Sequence, residues 1–264
     1  MQISVRGSKV GYEDTGGSGV PLVLLHGFPL DRSIWAAQVA GLADVARVIA
    51  PDLRGFGESP LAGGAMSMDR YAGDVRGLLD ALNVSKAVIG GVSMGGYIAM
   101  AFHRNSVDRV RGLVLVDTRA GADSSDAKKG RDASIALARS EGAAAVGAQM
   151  LGKMLTPATA ATDVPMRNAL SKLMGGQSVE GVIGALGALR DRPDATPSLA
   201  QISVPTLVVC GAEDTLIPPR ESEALRDAIR GARLALIPGA AHLPNYEKPD
   251  AFNRVLREFL VSVA

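Results

Sequence analysis

Ala87-Val88-Ile89-Gly90-Gly91-Val92-Ser93-Met94-Gly95-Gly96-Tyr97-Ile98-Ala99-Met100-Ala101-Phe102 joins an apolar run to a helix-like run through one serine set between glycines. A strand that turns this sharply into a helix forces unusual backbone angles on the residue at the apex. It also crowds the positions two before and two after, which is why Gly91 and Gly95 stand there. The serine hydroxyl is lifted clear of the core, and the first N–H groups of the helix are left unpaired beside it. A glycine-rich strand-to-helix turn also serves dinucleotide sites. Here Ser93 replaces the second glycine of that fingerprint, and the turn lies mid-chain rather than in an opening βαβ unit. Ser93 therefore reads as a nucleophile.

Around this turn the chain alternates short apolar runs with helical patterns. Leu22–Leu25, Arg47–Ala50, Ala87–Gly91, Leu113–Val116, Thr206–Cys210 and Leu234–Ile237 suit strands buried on both faces. Gln2–Val5 and Lys9–Asp14 alternate as an opening hairpin does. Met68, Tyr71, Val75, Leu78, Leu79 and Leu82 recur at helical spacing behind Ser67, a suitable N-cap. Phe252, Val255, Leu256, Phe259 and Leu260 do so behind Pro249. Strands alternating with helices predict a mostly parallel sheet covered on both faces. From about Arg119 to Leu199 the alternation stops. Val146, Met150, Met154 and Leu155 fall on one helical face, and Val179, Val182, Ile183 and Leu186 on another. Glycine and proline punctuation divides the stretch into about four short helices in the position of a lid.

The 264 residues suffice for one domain with a large insertion, and Lys+Arg 28 against Asp+Glu 27 leaves the charge balanced. With no basic run longer than Lys128-Lys129, nucleic acid is not an expected partner. Cys210 is the single cysteine and lies in an apolar run, so a buried, inert thiol is expected and no internal disulfide is possible. Neither a signal-peptide pattern nor a membrane-length apolar segment is present, and the chain reads as cytoplasmic, a monomer or homodimer.

A serine hydroxyl needs a base, and histidine suits neutral pH. Of the three histidines, His103 sits in a polar stretch of the helix after Ser93 and reads as a surface residue. His26, in His26-Gly27-Phe28-Pro29, reads as an anchor for its loop. His242 follows the run Leu234–Ile237 and emerges at the same sheet edge as Ser93, so it is the expected base. Its carboxylate partner is Asp214, in Gly211-Ala212-Glu213-Asp214 at the end of Thr206–Cys210, with Asp117 after Leu113–Val116 as the alternative. The oxyanion formed on attack needs N–H donors: Met94, next to the nucleophile, and Phe28, beyond the turn at Gly27. Gly27, Met150, Met154 and Leu216 are the expected lining of the substrate pocket. No His/Cys/Asp cluster has metal-ligand spacing, and neither a metal nor an organic cofactor is expected.

Five segments, in order, resemble the α/β-hydrolase fold superfamily along essentially the whole chain: His26-Gly27-Phe28, Asp52-Leu53-Arg54-Gly55-Phe56-Gly57-Glu58-Ser59, Gly91-Val92-Ser93-Met94-Gly95-Gly96, Gly211-Ala212-Glu213-Asp214 and Gly239-Ala240-Ala241-His242. The resemblance implies an eight-stranded, mostly parallel sheet with a helical cap after the sixth strand. Residues 1–118 and 200–264 would form the core and 119–199 the cap. It gives Asp52 and Arg54 a loop-organising role. Relatives that use aspartate at the position of Ser93, the haloalkane dehalogenases and epoxide hydrolases, are disfavoured. His242-Leu243-Pro244-Asn245-Tyr246-Glu247-Lys248-Pro249 looks like the 3-oxoadipate enol-lactonase group, whose anionic lactones want a cation near the pocket. Arg119 is placed to serve, or to form a surface ion pair. With no clear anion clamp in the sequence, a carboxylesterase acting on small to medium esters is the preferred expectation and a lactone hydrolase the alternative. A ligand-sensing protein that retains the triad is the expectation of a different class.

Overall fold

The computed structural model describes residues 1–264. Eight strands form one sheet: β1 (Gln2–Val5), β2 (Ser8–Asp14), β3 (Val20–Leu25), β4 (Ala46–Pro51), β5 (Ala87–Val92), β6 (Val110–Val116), β7 (Thr206–Gly211) and β8 (Arg233–Ile237). Their spatial order is β1-β2-β4-β3-β5-β6-β7-β8. The β1–β2 and β2–β4 pairings are antiparallel, and every other pairing, from β4 across to β8, is parallel. The chain reverses its direction of travel across the sheet at β3, which lies between β4 and β5. The loops leaving β3 and β5 flank that reversal, the place where open α/β sheets bind ligands.

Successive residues of each buried strand feed opposite cores, because side chains alternate across a pleated sheet. Val23 and Leu25 of β3 join Ile89 and Leu115 beneath α2 (Met68–Ala81) and α3 (Met94–Asn105), whose Tyr71, Val75, Ile98 and Phe102 pack there. Leu22 and Leu24 join Val88 and Val114 on the other face, beneath α1 (Ala36–Leu42) and the C-terminal helix. That double burial explains the continuous apolar runs of the inner strands; β8 departs from the expectation, because as an edge strand it leaves Leu236 exposed and buries only Ile237. Ser67 caps α2 by accepting from the Arg70 N–H, as its position predicts.

Between β6 and β7 the chain leaves the sheet and forms six helices: α4 (Ser125–Glu141), α5 (Ala143–Leu151), α6 (Pro157–Thr162), α7 (Val164–Gly175), α8 (Val179–Arg190) and α9 (Thr196–Leu199). Six rather than four form because α4 lacks the apolar face that would announce it, burying only Ala138, and because Asp163 caps a fresh helix directly after α6. The chain then closes with α10 (Pro219–Ala228), the short α11 (Pro244–Glu247) and α12 (Pro249–Ser262). No helix is long and apolar enough to cross a membrane. Cys210 is buried and free, and burial pushes its thiol pKa upward.

Candidate active site

The turn after β5 has the strained geometry that its glycines anticipate. Ser93 sits at φ 55°, ψ −114°, a region costly for any residue with a Cβ. A Cβ on Gly91 would overlap the backbone of Gly95, and one on Gly95 would overlap the Leu25 carbonyl. The turn is pinned from the neighbouring strand. The Ser93 N–H donates to the Val116 carbonyl at 2.8 Å, and the Thr118 hydroxyl donates to the Ser93 carbonyl at 2.9 Å. α3 starts at the next residue, so the Met94 N–H heads the helix.

The loop after β3 lies against this turn. A Cβ on Gly27 would come within 3.3 Å of the Ser93 Cβ, and Phe28 lines the same cavity as Ser93. Neither the Phe28 nor the Met94 N–H is spent on a loop or turn hydrogen bond. His26 anchors this loop: its Nε2 accepts from the Leu53 N–H at 2.9 Å, and its Nδ1 faces the Gly27 carbonyl at 2.8 Å. Burial lowers its pKa, which keeps the ring neutral for that acceptor role. The Asp52 segment braces the loop from below. Asp52 pairs with Arg32 and accepts from the Glu58 N–H at 2.8 Å, and Arg54 makes a two-pronged pair with Asp74 at 2.7 Å for each bond.

Asp214 and His242 meet at the ends of β7 and β8. The Nδ1 of His242 lies 2.8 Å from Asp214 Oδ2. Asp214 Oδ1 accepts from the Leu216 and Ile217 N–H groups at 2.8 and 3.1 Å. Burial would raise the Asp214 pKa, but the hydrogen bond and charge of His242, together with the contacts of Asp117 and the Ile217 N–H, outweigh it, and the carboxyl is held below its ordinary value. With Nδ1–H donating to a carboxylate, Nε2 is left as the basic nitrogen. That nitrogen is buried and bonded to nothing. No hydrogen bond joins it to Ser93; catalytic hydrogen bonds of this kind commonly tighten only when substrate is bound.

Asp117, the alternative acid, sits at the end of β6 with φ 40° and is fully buried. Its Oδ1 accepts from the Gly211 N–H at 3.0 Å, and no hydrogen bond links it to His242. Asp117, Asp214 and His242 place three potential metal-ligand atoms within 4.8 Å of one another. The Asp214 and His242 atoms are already committed to each other. Burial, followed by the charge of Asp214, drives the Asp117 pKa well upward, which suits a proton shared between the two carboxyl groups.

A cavity of about 420 Å³ opens onto Ser93, in the size range of small-molecule sites. Phe28, Tyr97, Met150, Leu189, Leu216 and Ile217 supply its apolar wall. Met150 and Leu216, two of the four residues expected at the pocket, line this cavity. Gly27 and Met154 do not: Gly27 packs closely against Val92 and Ser93 behind the cavity wall, and Met154 is fully buried among Leu155, Leu170 and Met174, away from the cavity. Helix α5 stops at Leu151, which breaks the spacing that put Met154 beside Met150. His103 is also misjudged by its polar neighbours, being buried at 6% exposure, and burial lowers its pKa. Two features of the site were not read from the sequence. One is Glu247, which accepts from the Ala241 N–H at 2.8 Å and from the Thr156 N–H and hydroxyl at 2.9 and 2.6 Å. The other is the set of charged side chains, Asp123, Arg131 and Lys153, that joins the expected Arg119 on the polar wall of the cavity.

The model of the alpha/beta hydrolase fold family matches residues 20–249. The chain belongs to that family. Among solved α/β hydrolases, an esterase from Thermogutta terrifontis, determined with malate bound, superposes with a TM-score of 0.96 at 38% identity, covering 100% of this chain and 99% of that one. The enol-lactonase of Burkholderia xenovorans superposes at 0.92 with 30% identity, covering 99% and 100%. The 3-oxoadipate enol-lactonase 2 of Acinetobacter baylyi is 28% identical over 235 residues, 89% of this chain and 86% of its own. Together with the buried Asp–His pair beneath a serine turn, these likenesses make the chain a serine hydrolase of the esterase and lactonase kind.

Proposed function

We propose that this α/β hydrolase is a carboxylesterase acting on small to medium carboxylic esters, with Ser93 as nucleophile, His242 as base and Asp214 as its orienting acid. The observation that carries this reading is the His242 ring itself: Nδ1 is held by Asp214 at 2.8 Å while Nε2 is buried and unbonded. Nε2 takes the Ser93 proton as Oγ attacks the ester carbonyl. The developing oxyanion is received by the Phe28 and Met94 N–H groups, each such donor being worth roughly 3–4 kcal/mol of barrier. His242 then protonates the departing alcohol, leaving an acyl group on Ser93. Water, deprotonated by the same nitrogen, releases the acid and restores the serine. No step calls on a metal or organic cofactor.

Lactone hydrolysis is the second reading, favoured by the enol-lactonases among both the sequence and the structural relatives. Initial rates on p-nitrophenyl acetate, butyrate and octanoate, beside an enol-lactone, separate the two. Turnover of the simple esters should fall by about 10⁴-fold or more in Ser93→Ala. A folded Ser93→Ala protein with full activity would overturn the mechanism, and rapid turnover of the lactone alone would replace the esterase reading.

A further inference from the structure

Three arginines converge on one buried carboxylate at the polar wall of the cavity. Asp123, whose side chain is fully out of solvent, accepts from Arg119 at 2.8 Å, Arg131 at 3.1 Å and Arg192 at 2.7 Å. Arg192 is itself almost wholly buried. It also donates to the Leu189 and Gly121 carbonyls at 2.9 and 2.8 Å, and its guanidinium lies 4.3 Å from the Tyr97 ring centroid. Arg192 is thus a structural partner that by itself neutralises Asp123. Arg119 and Arg131 remain in excess, and both line the cavity with their side chains about one-quarter exposed.

Lys153 lines the same cavity and forms no ion pair, and Asp123 is the one carboxylate among the lining residues. The Nε of Arg119 is buried with no acceptor. An excess of like charges gathered on one partly closed wall is unfavourable until an anion joins it. Guanidinium groups, with their fixed fork of donors, match a carboxylate.

We infer that this wall is a subsite for a carboxylate carried by the substrate, so that acidic half-esters, linear esters bearing a free carboxylate, are the preferred substrate class. The inference rests on the serine-hydrolase reading for its reaction. Its own observation is the charge imbalance around Asp123. The apolar wall near Ser93 holds the ester, while Arg119, Arg131 and Lys153 receive the acid. Specificity then comes chiefly through KM, because the cations meet a group remote from the bond that breaks.

Two substrate pairs test it at low ionic strength: 4-nitrophenyl hydrogen glutarate against its methyl ester, and 4-carboxyphenyl butyrate against its methyl ester. They place the charge on the acyl and the alcohol side in turn. One charged member should exceed its neutral partner by about tenfold or more in kcat/KM, the scale of a partly desolvated, charge-assisted contact. That ratio should fall severalfold in Lys153→Met and Arg131→Gln, survive in Arg131→Lys, and shrink with added salt. Lys153 is exposed, so its substitution does not threaten the fold. Glutarate binding, measured by calorimetry on wild type and both variants, reads the subsite without turnover. Neutral esters preferred in both pairs, or ratios unchanged in the variants, would overturn the subsite and leave the esterase standing. Glutarate binding lost on substitution, with no ester hydrolysed, would support the subsite and sink the esterase.

Discussion

The buried carboxyl of Asp117 faces that of Asp214, and their pKa values move in opposite directions. Asp117 is pushed well up by burial and by the charge of Asp214. Asp214 is driven up by burial but brought below its ordinary value by His242, with Asp117 adding to that lowering. Asp117 Oδ2 receives no donor, which suits a protonated oxygen turned toward the Asp214 carboxylate.

This relationship makes stability depend on pH. In the folded protein Asp117 keeps a proton that the unfolded chain has already released. Its contribution is therefore complete below the ordinary carboxylate value of 3.8 and is lost as pH rises through its raised value. Asp214 has the opposite sign: its contribution is present above 3.8 and is lost as pH falls through its lowered value. Asp117→Asn should therefore gain in thermal stability relative to wild type as pH increases from 5 toward 8 (roughly, from the direction of the shift). A Tm difference that stays constant across that range would mean that Asp117 is ionised throughout.

Catalytic consequences should separate the same two residues. Asp214→Asn removes the partner that sets the His242 tautomer and should lower kcat by about 10⁴-fold. Asp117→Asn keeps a buried amide of similar shape and should stay within about tenfold of wild type. If the larger loss fell on Asp117→Asn, the acid would have to be reassigned.

Glu247 should matter more than its place outside the triad suggests. Its carboxylate holds the Ala241 N–H, next to His242, and the Thr156 N–H and hydroxyl. In Glu247→Gln an amide NH2 faces one of those donors, and the loss should be about 1–3 kcal/mol. Urea unfolding would measure it, and kcat should fall with it because the loop carrying His242 is loosened. Full stability with full activity would mean that the three bonds are dispensable.

Two glycine substitutions should have opposite signs. Gly187 lies within helix α8 with nothing within 4 Å of an added Cβ, so Gly187→Ala should stabilise by up to about 1 kcal/mol. Gly91→Ala sets a Cβ against the backbone of Gly95. Overpacking costs about 1–3 kcal/mol where side chains can move, and here the obstacle is main chain, so the loss should be at least as large. Parallel denaturation curves give both values.

The sheet, the serine turn and the Asp214–His242 pair were legible because each is written locally: buried strands as continuous apolar runs, the turn as Gly91 and Gly95 around Ser93, the acid and base as loops after such runs. The insertion was less so. Helix α4 is solvated on most sides and shows little periodicity, while the break at Leu151 that moves Met154 into the core depends on how α5 ends. The groups that escaped reading altogether are joined across long stretches of chain. Asp123 meets Arg192 69 residues away, and Thr156 meets Glu247 91 residues away. Local spacing carries no trace of such meetings. His103 fails for a related reason, since its neighbours in sequence are polar while its ring is buried with Nε2 unbonded.

The grip of Glu247 on Thr156 divides the insertion into parts that differ in freedom to change. The chain entering α6 shares a carboxylate with the loop of His242, so a substitution that shifts it disturbs the reaction along with the fit. Arg131 and Ser134 of α4 and Leu189 of α8 reach the cavity from elements outside that linkage. A laboratory redesign, or a lineage under selection for a new ester, would retune recognition from the α4–α8 side while the chemistry stays as it is.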